Sequence, residues 1–65
     1  MKIILYKIML KRKLSIRQVS ILTGVSKSTI QKTMAELSNP TICTMEKLAA
    51  GLNISIESLY ESDYK

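Results

Sequence analysis

Residues 15–34, SIRQVSILTGVSKSTIQKTM, constrain this chain more than any other stretch. They read as a short helix, a glycine turn and a second short helix. Ser15-Ile16-Arg17-Gln18 has the form of a capping box, in which the serine hydroxyl takes an orphan amide and the glutamine reaches back to the cap. Leu14 and Val19 are spaced as a hydrophobic staple across that start. Ile16, Val19, Ser20 and Thr23 fall at the spacing of a core-facing stripe, and the small Ser20 leaves room for a neighbouring helix to come close. Gly24 suits a left-handed helix end, a conformation that glycine adopts nearly without cost. On the outer side, Leu22 is expected to be partly buried and Ile21 largely exposed.

Val25 is placed to plug the turn into the core, and Ser26 to cap the next helix, from Lys27 to about Leu37. Ile30, Met34 and Leu37 make its inner face, with Thr33 at the margin. Lys27, Ser28, Gln31 and Lys32 are left facing outward, with Thr29 at the edge. Two helices this short are not stable alone, so the rest of the chain must hold them in place.

That remainder reads as three more helices. Residues 2–12 carry Leu5, Ile8, Met9 and Arg12 on one face, although the β-branched and aromatic run KIILY leaves a short strand over 2–6 as the alternative. Ile3, Ile4, Tyr6 and Leu10 cannot all share that stripe, so some of them are expected to cover the C-terminal part of the chain or a second subunit. Ser38-Asn39-Pro40 forms a turn. Thr44 is expected to cap a fourth helix, Met45 to about Gly51 or Leu52, burying Met45, Leu48, Ala49 and Leu52. Asn53 suits a left-handed helix end, and Ser55 caps a short fifth helix with Ile56 and Leu59 inward. The last residues, SDYK, are expected to fray. The expected fold is all-α, a five-helix unit forming a single domain over 1–65, with a helix-turn-helix at about 15–37.

Composition narrows the function. A chain of 65 residues without histidine and with one cysteine, Cys43, can assemble neither a Ser-His-Asp nor a Cys-His pair and shows no zinc-ligand spacing. No enzyme, no cofactor, no metal and no small-molecule substrate are expected. A single thiol agrees with a reducing cytoplasm, and no apolar run approaches the roughly 20 residues of a membrane span. Met1–Leu10 is a poor signal peptide, because Lys7 interrupts its apolar run and no small-residue cleavage site follows. Charge is strongly polarised. Residues 1–32 hold eight Lys or Arg and no acid, whereas residues 33–65 hold two bases and five acids. Lys11, Arg12 and Lys13 complement a helix dipole, but the dipole does not explain 32 residues without an acid. A polyanion-binding surface does, since each neutralised phosphate releases counterions.

The joint pattern of Leu14-Ser15, Val19-Ser20, Thr23-Gly24-Val25-Ser26, Ile30, Asn39-Pro40 and MEKLAAGLNISIESLY resembles the Cro and lambda-repressor-like helix-turn-helix family over residues 5–60. The resemblance implies a third helix that enters the DNA major groove. Its first, second and sixth residues, Lys27, Ser28 and Lys32, would face bases, with Thr29 and the more lateral Gln31 behind them. Lysine can donate to guanine O6 and N7, serine pairs with several base edges, and Thr29 offers thymine a methyl or phosphate a hydroxyl. Arg17 and Gln18 on the second helix, and Asn39, Thr41 and Thr44 around the third loop, would contact phosphate. Four positions depart from the family. Ile16 stands where glutamine is usual, Met9 and Met34 where the family pairs a buried arginine with a glutamate, and Glu36 where a glycine usually ends the third helix. Met9 and Met34 are therefore expected to touch, and the third helix to run on by a turn. The implied function is that of a small prokaryotic or phage-like transcriptional repressor, cytoplasmic, bound to double-stranded DNA as a homodimer on two half-sites. A protein-interaction module on the same fold, such as an antitoxin or antirepressor, is the alternative. An RNA-binding role is disfavoured because Tyr6, Tyr60 and Tyr64 give the basic face no stacking platform.

Overall fold

The computed structural model describes residues 2–35 and 38–64. Glu36, Leu37 and Lys65, which carried the expectations of a longer third helix and of a frayed end, lie outside the described residues.

The chain begins as a strand, β1 (Lys2–Ile3), and turns directly into α1 (Leu5–Arg12). The β-branched start therefore wins over the helical reading for two residues only. β1 pairs antiparallel with β2 (Tyr60–Glu61), with Lys2 opposite Glu61 and Ile3 opposite Tyr60. Ile3 sinks to 1 % exposure, and the Ile4 amide donates to the Leu59 carbonyl at 2.9 Å. Thus Ile3 resolves the surplus of apolar residues near the N-terminus by covering the C-terminal segment, while Tyr6 and Leu10 stay exposed.

Helix α1 buries Leu5 and Met9 and ends on Lys13, whose φ of 56° is left-handed. The Leu14 amide then reaches back to the Met9 carbonyl at 2.8 Å, closing the end as a Schellman motif does. Helix α2 (Ile16–Thr23) starts on the expected capping box, with Gln18 N–H to Ser15 Oγ at 3.1 Å and Ser15 N–H to Gln18 Oε1 at 2.8 Å. Gly24, at φ 74°, ends it.

Helix α3 (Lys27–Thr33) is capped by Ser26 and is shorter than the sequence suggests. Two bonds explain the early stop. Ala35 N–H turns to the Lys32 carbonyl, three residues back, and Ser38 Oγ donates to the Thr33 carbonyl at 3.2 Å. A hydroxyl thus takes over an acceptor that a further helical turn would have used.

Helix α4 (Ile42–Leu52) begins three residues before the expected start, because Thr41 rather than Thr44 is its cap. Thr41 Oγ1 accepts the Thr44 amide at 3.1 Å. Choosing the earlier threonine adds most of a turn of backbone bonding. Met45, Leu48, Ala49 and Leu52 are buried, and Asn53 is left-handed at φ 58°.

The expected fifth helix is a single 3₁₀ turn, Ile56–Leu59, which hands the chain to β2. The five-helix count is therefore corrected to four α-helices plus a two-stranded sheet. Four residues are too few for an α-helical ladder once Tyr60 must extend to meet Ile3. Leu59 is fully buried and Ile56 packs on the core from its edge.

All elements enclose one cluster of Ile3, Leu5, Met9, Val19, Val25, Ile30, Met45, Leu48, Ala49, Leu52 and Leu59. The closest approach of α4 to the end of α2 is at Gly51, a position the sequence reading did not single out for packing. A β-carbon there would lie 2.5 Å from Thr23 Cγ2 and 2.6 Å from the Leu22 carbonyl oxygen. Glycine is what allows α4 to lie against the end of α2. Across the molecule, Arg12 Nη1 donates to the Leu52 carbonyl at 2.6 Å, so a basic residue of α1 caps the C-terminus of α4.

Candidate nucleic-acid interface

Helix α3 sorts its side chains by face. Ile30 and Thr33 are buried, at 0 % and 3 % exposure, and Met34 packs against the core from just beyond the helix. On the other side Lys27, Ser28, Gln31 and Lys32 are exposed, and Thr29 is half-buried at the margin. The spacing of these four residues places them one turn apart in pairs, so two cations and two neutral hydrogen-bonding groups share one surface. Thr33, the buried polar residue of this helix, donates its hydroxyl to the Thr29 carbonyl at 2.8 Å and so enters the core with its donor satisfied.

Hydroxyl groups shape the start of α3. Ser26 Oγ accepts the Thr29 amide at 3.3 Å and donates to Thr29 Oγ1 at 2.8 Å, with Ser28 Oγ at 3.4 Å. The Ser28 and Thr29 hydroxyls therefore gather around the cap, Ser28 remaining exposed.

The residues assigned to phosphate fall in two places. Arg17 and Gln18 are exposed in the first turn of α2. Gln18 commits its oxygen to the Ser15 amide, which leaves its NH₂ as the group able to donate outward. Asn39 and Thr41 are exposed and Thr44 is half-buried, around the start of α4. The Thr41 hydroxyl serves the cap and also donates to Thr44 Oγ1 at 3.0 Å, so the proton of Thr44 is the one left for an outside acceptor. Ser38, bonded to the Thr33 carbonyl, pins this loop to the end of α3.

Every basic residue in the acid-free half, from Lys2 to Lys32, is exposed. Arg12 differs from the rest because its guanidinium is already engaged by Leu52. Its role in the fold was hidden from a linear reading, since the partner lies 40 residues away and is a backbone carbonyl. Ser20 and Thr23 were likewise legible as an inner stripe but not as hydrogen-bonding groups. Ser20 Oγ donates to the Val25 carbonyl at 2.7 Å, and Thr23 Oγ1 accepts the Val25 amide at 3.2 Å.

Among the described residues, no helix is long and apolar enough to cross a membrane, and no three His, Cys, Asp or Glu gather as a metal site. The chain matches no curated protein and no solved structure. The sequence pattern of the helix-turn-helix family matches residues 5–59, from the first residue of α1 to the end of the 3₁₀ turn. With that span and the α2–turn–α3 geometry together, the chain belongs to the Cro and lambda-repressor-like helix-turn-helix family of DNA-binding transcription regulators.

Proposed function

We propose that this protein binds double-stranded DNA sequence-specifically, with α3 in the major groove, and acts as a small transcriptional repressor by occupying its operator. The observation that carries the reading is the α3 surface itself: Lys27, Ser28, Gln31 and Lys32 exposed on a helix whose opposite side is locked into the core. Lys27, Ser28 and Lys32 are assigned to base edges, with Thr29 and Gln31 in support. Arg17, Gln18, Asn39, Thr41 and Thr44 are assigned to phosphate, where they set register without reading sequence.

One module of this size makes few base contacts, each good bidentate pair being worth about 1–3 kcal/mol of discrimination. A homodimer on two half-sites supplies the remainder by doubling those contacts. Selection from a random duplex library tests the proposal. A palindromic winner supports a dimer, a single half-site supports a monomer, and no enrichment removes the sequence-specific reading.

A protein-interaction role on the same fold draws on two exposed apolar residues, Ile21 at 74 % and Ile42 at 68 % exposure. Salt separates the two readings. Duplex binding through phosphate contacts weakens steeply between about 50 and 200 mM salt. Flat salt dependence, or no duplex binding at low salt, favours the protein partner.

A further inference from the structure

The turn between α2 and α3 has three residues, Gly24, Val25 and Ser26, and the middle one is held from both sides by hydroxyls of α2. Ser20 Oγ donates to the Val25 carbonyl at 2.7 Å. Thr23 Oγ1 accepts the Val25 amide at 3.2 Å while donating its own proton to the Val19 carbonyl at 2.7 Å. Val25 itself is 6 % exposed, so its side chain is also fixed in the core. Neither backbone polar group of Val25 takes part in a helix ladder. Without the two side chains, both would face a largely buried environment, where an unmade hydrogen bond is costly.

Lys27, the first residue of α3, lies two positions beyond Val25. The orientation of the Val25 peptide groups therefore sets the direction in which α3 leaves the turn. Any rotation of α3 against α2 that turns the Val25 peptide groups breaks the Ser20 bond, the Thr23 bond, or both.

We propose that Ser20 and Thr23 are positioning residues for sequence readout: their hydroxyls fix the angle of α3 and so the placement of Lys27, Ser28 and Lys32 against base edges. The inference rests on the DNA-binding reading above. Base contacts depend on angle, because bidentate pairing requires donors aligned with the base edge. The residues assigned to phosphate lie on α2 and around the start of α4, so a small tilt of α3 leaves them in place. Loosening the turn therefore weakens binding to the selected duplex more than binding to DNA in general.

The experiment compares two duplexes of equal length, the winner of the random-library selection and an unselected sequence, at one salt concentration. Ser20→Ala removes only the hydroxyl and places a strong helix former in α2. Its expected effect is a loss of about fivefold in the ratio of the two affinities, the factor for one neutral hydrogen bond, with the salt slope on unselected DNA unchanged. Thr23 gives a split between chemistry and packing. Thr23→Val keeps the shape and loses the ratio, whereas Thr23→Ser loses a methyl, with some thermal stability, and keeps the ratio. Equal weakening of both duplexes in Ser20→Ala, or a Thr23→Ser that discriminates no better than Thr23→Val, overturns the positioning role. If the unsubstituted protein binds no duplex at all, the DNA-binding reading fails and this inference with it. If that protein discriminates and Ser20→Ala discriminates equally well, only this inference fails.

Discussion

Gly51 of α4 faces Thr23 of α2 so closely that no β-carbon fits between them: it would meet the methyl at 2.5 Å and Thr23 Cα at 2.6 Å. Two of the three nearest atoms, Thr23 Cα and the Leu22 carbonyl oxygen, are backbone, so a rotamer change cannot relieve the overlap. Gly51→Ala is expected to destabilise by about 1–3 kcal/mol, the usual cost of overpacking, although alanine is intrinsically the better helix former by about 1 kcal/mol. Adding Thr23→Ala should restore little, since the backbone atoms remain. Thermal unfolding of the single and double variants checks both statements. A neutral Gly51→Ala would mean that the two helices separate at little cost.

Arg12 and Lys27 are both exposed cations in the acid-free half, yet their expected phenotypes are opposite. Arg12 holds the Leu52 carbonyl at 2.6 Å. Arg12→Ala should lower stability by about 1 kcal/mol, a charged hydrogen bond discounted for its exposure, and should leave sequence preference intact. Circular dichroism melts and binding titrations on the same samples separate the effects. A stability-neutral Arg12→Ala would show that this helix end needs no side-chain donor.

Substitutions on the binding face should divide by what they touch. Lys27→Ala or Lys32→Ala is expected to cost about 1–3 kcal/mol on the selected duplex and to relax its sequence preference. Arg17→Ala should weaken all duplexes alike and reduce the salt slope by about one unit. Fluorescence anisotropy at several salt concentrations measures both quantities. A silent Lys32→Ala on every duplex tested would remove the assigned placement of α3.

Met9 is buried at 4 % exposure, and Met34 packs against the same core from its edge. Met9→Ala is expected to cost about 2–5 kcal/mol, and Met34→Ala less, because it exchanges less buried volume. Should the two thioethers meet, where the family pairs two charges, the double variant will depart from additivity by more than about 0.5 kcal/mol. Strict additivity in denaturant unfolding rejects the contact.

The features legible in the sequence are those in which a residue type settles its own backbone. Ser15 with Gln18, Gly24, Ser26 and Asn53 each act within four residues, and each behaves in the structure as its chemistry predicts. The buried face of α4 follows equally from spacing alone. Where two nearby residues compete for one role, spacing cannot choose: Thr41 and Thr44 are both competent caps, and in the structure the first of them takes the Thr44 amide. Contacts between distant residues are the least legible. Nothing in KIILY names Tyr60 as a strand partner, and nothing in Arg12 names Leu52. On the candidate interface, the exposed face of α3 follows from its period, whereas the hydroxyl grip on Val25 depends on how the turn is folded.

The antiparallel pairing of Lys2–Ile3 with Tyr60–Glu61 also governs the order of events during synthesis. The helix pair that presents Lys27 and Lys32 leaves the ribosome early and with local contacts only. Ile3, made 57 residues before Tyr60, has no strand partner until Tyr60 has been translated and released from the exit tunnel. A nascent chain stalled within α4 therefore already contains α3 while Ile3 still lacks its β2 partner, and the sheet closes only after the helices between its two strands have been made.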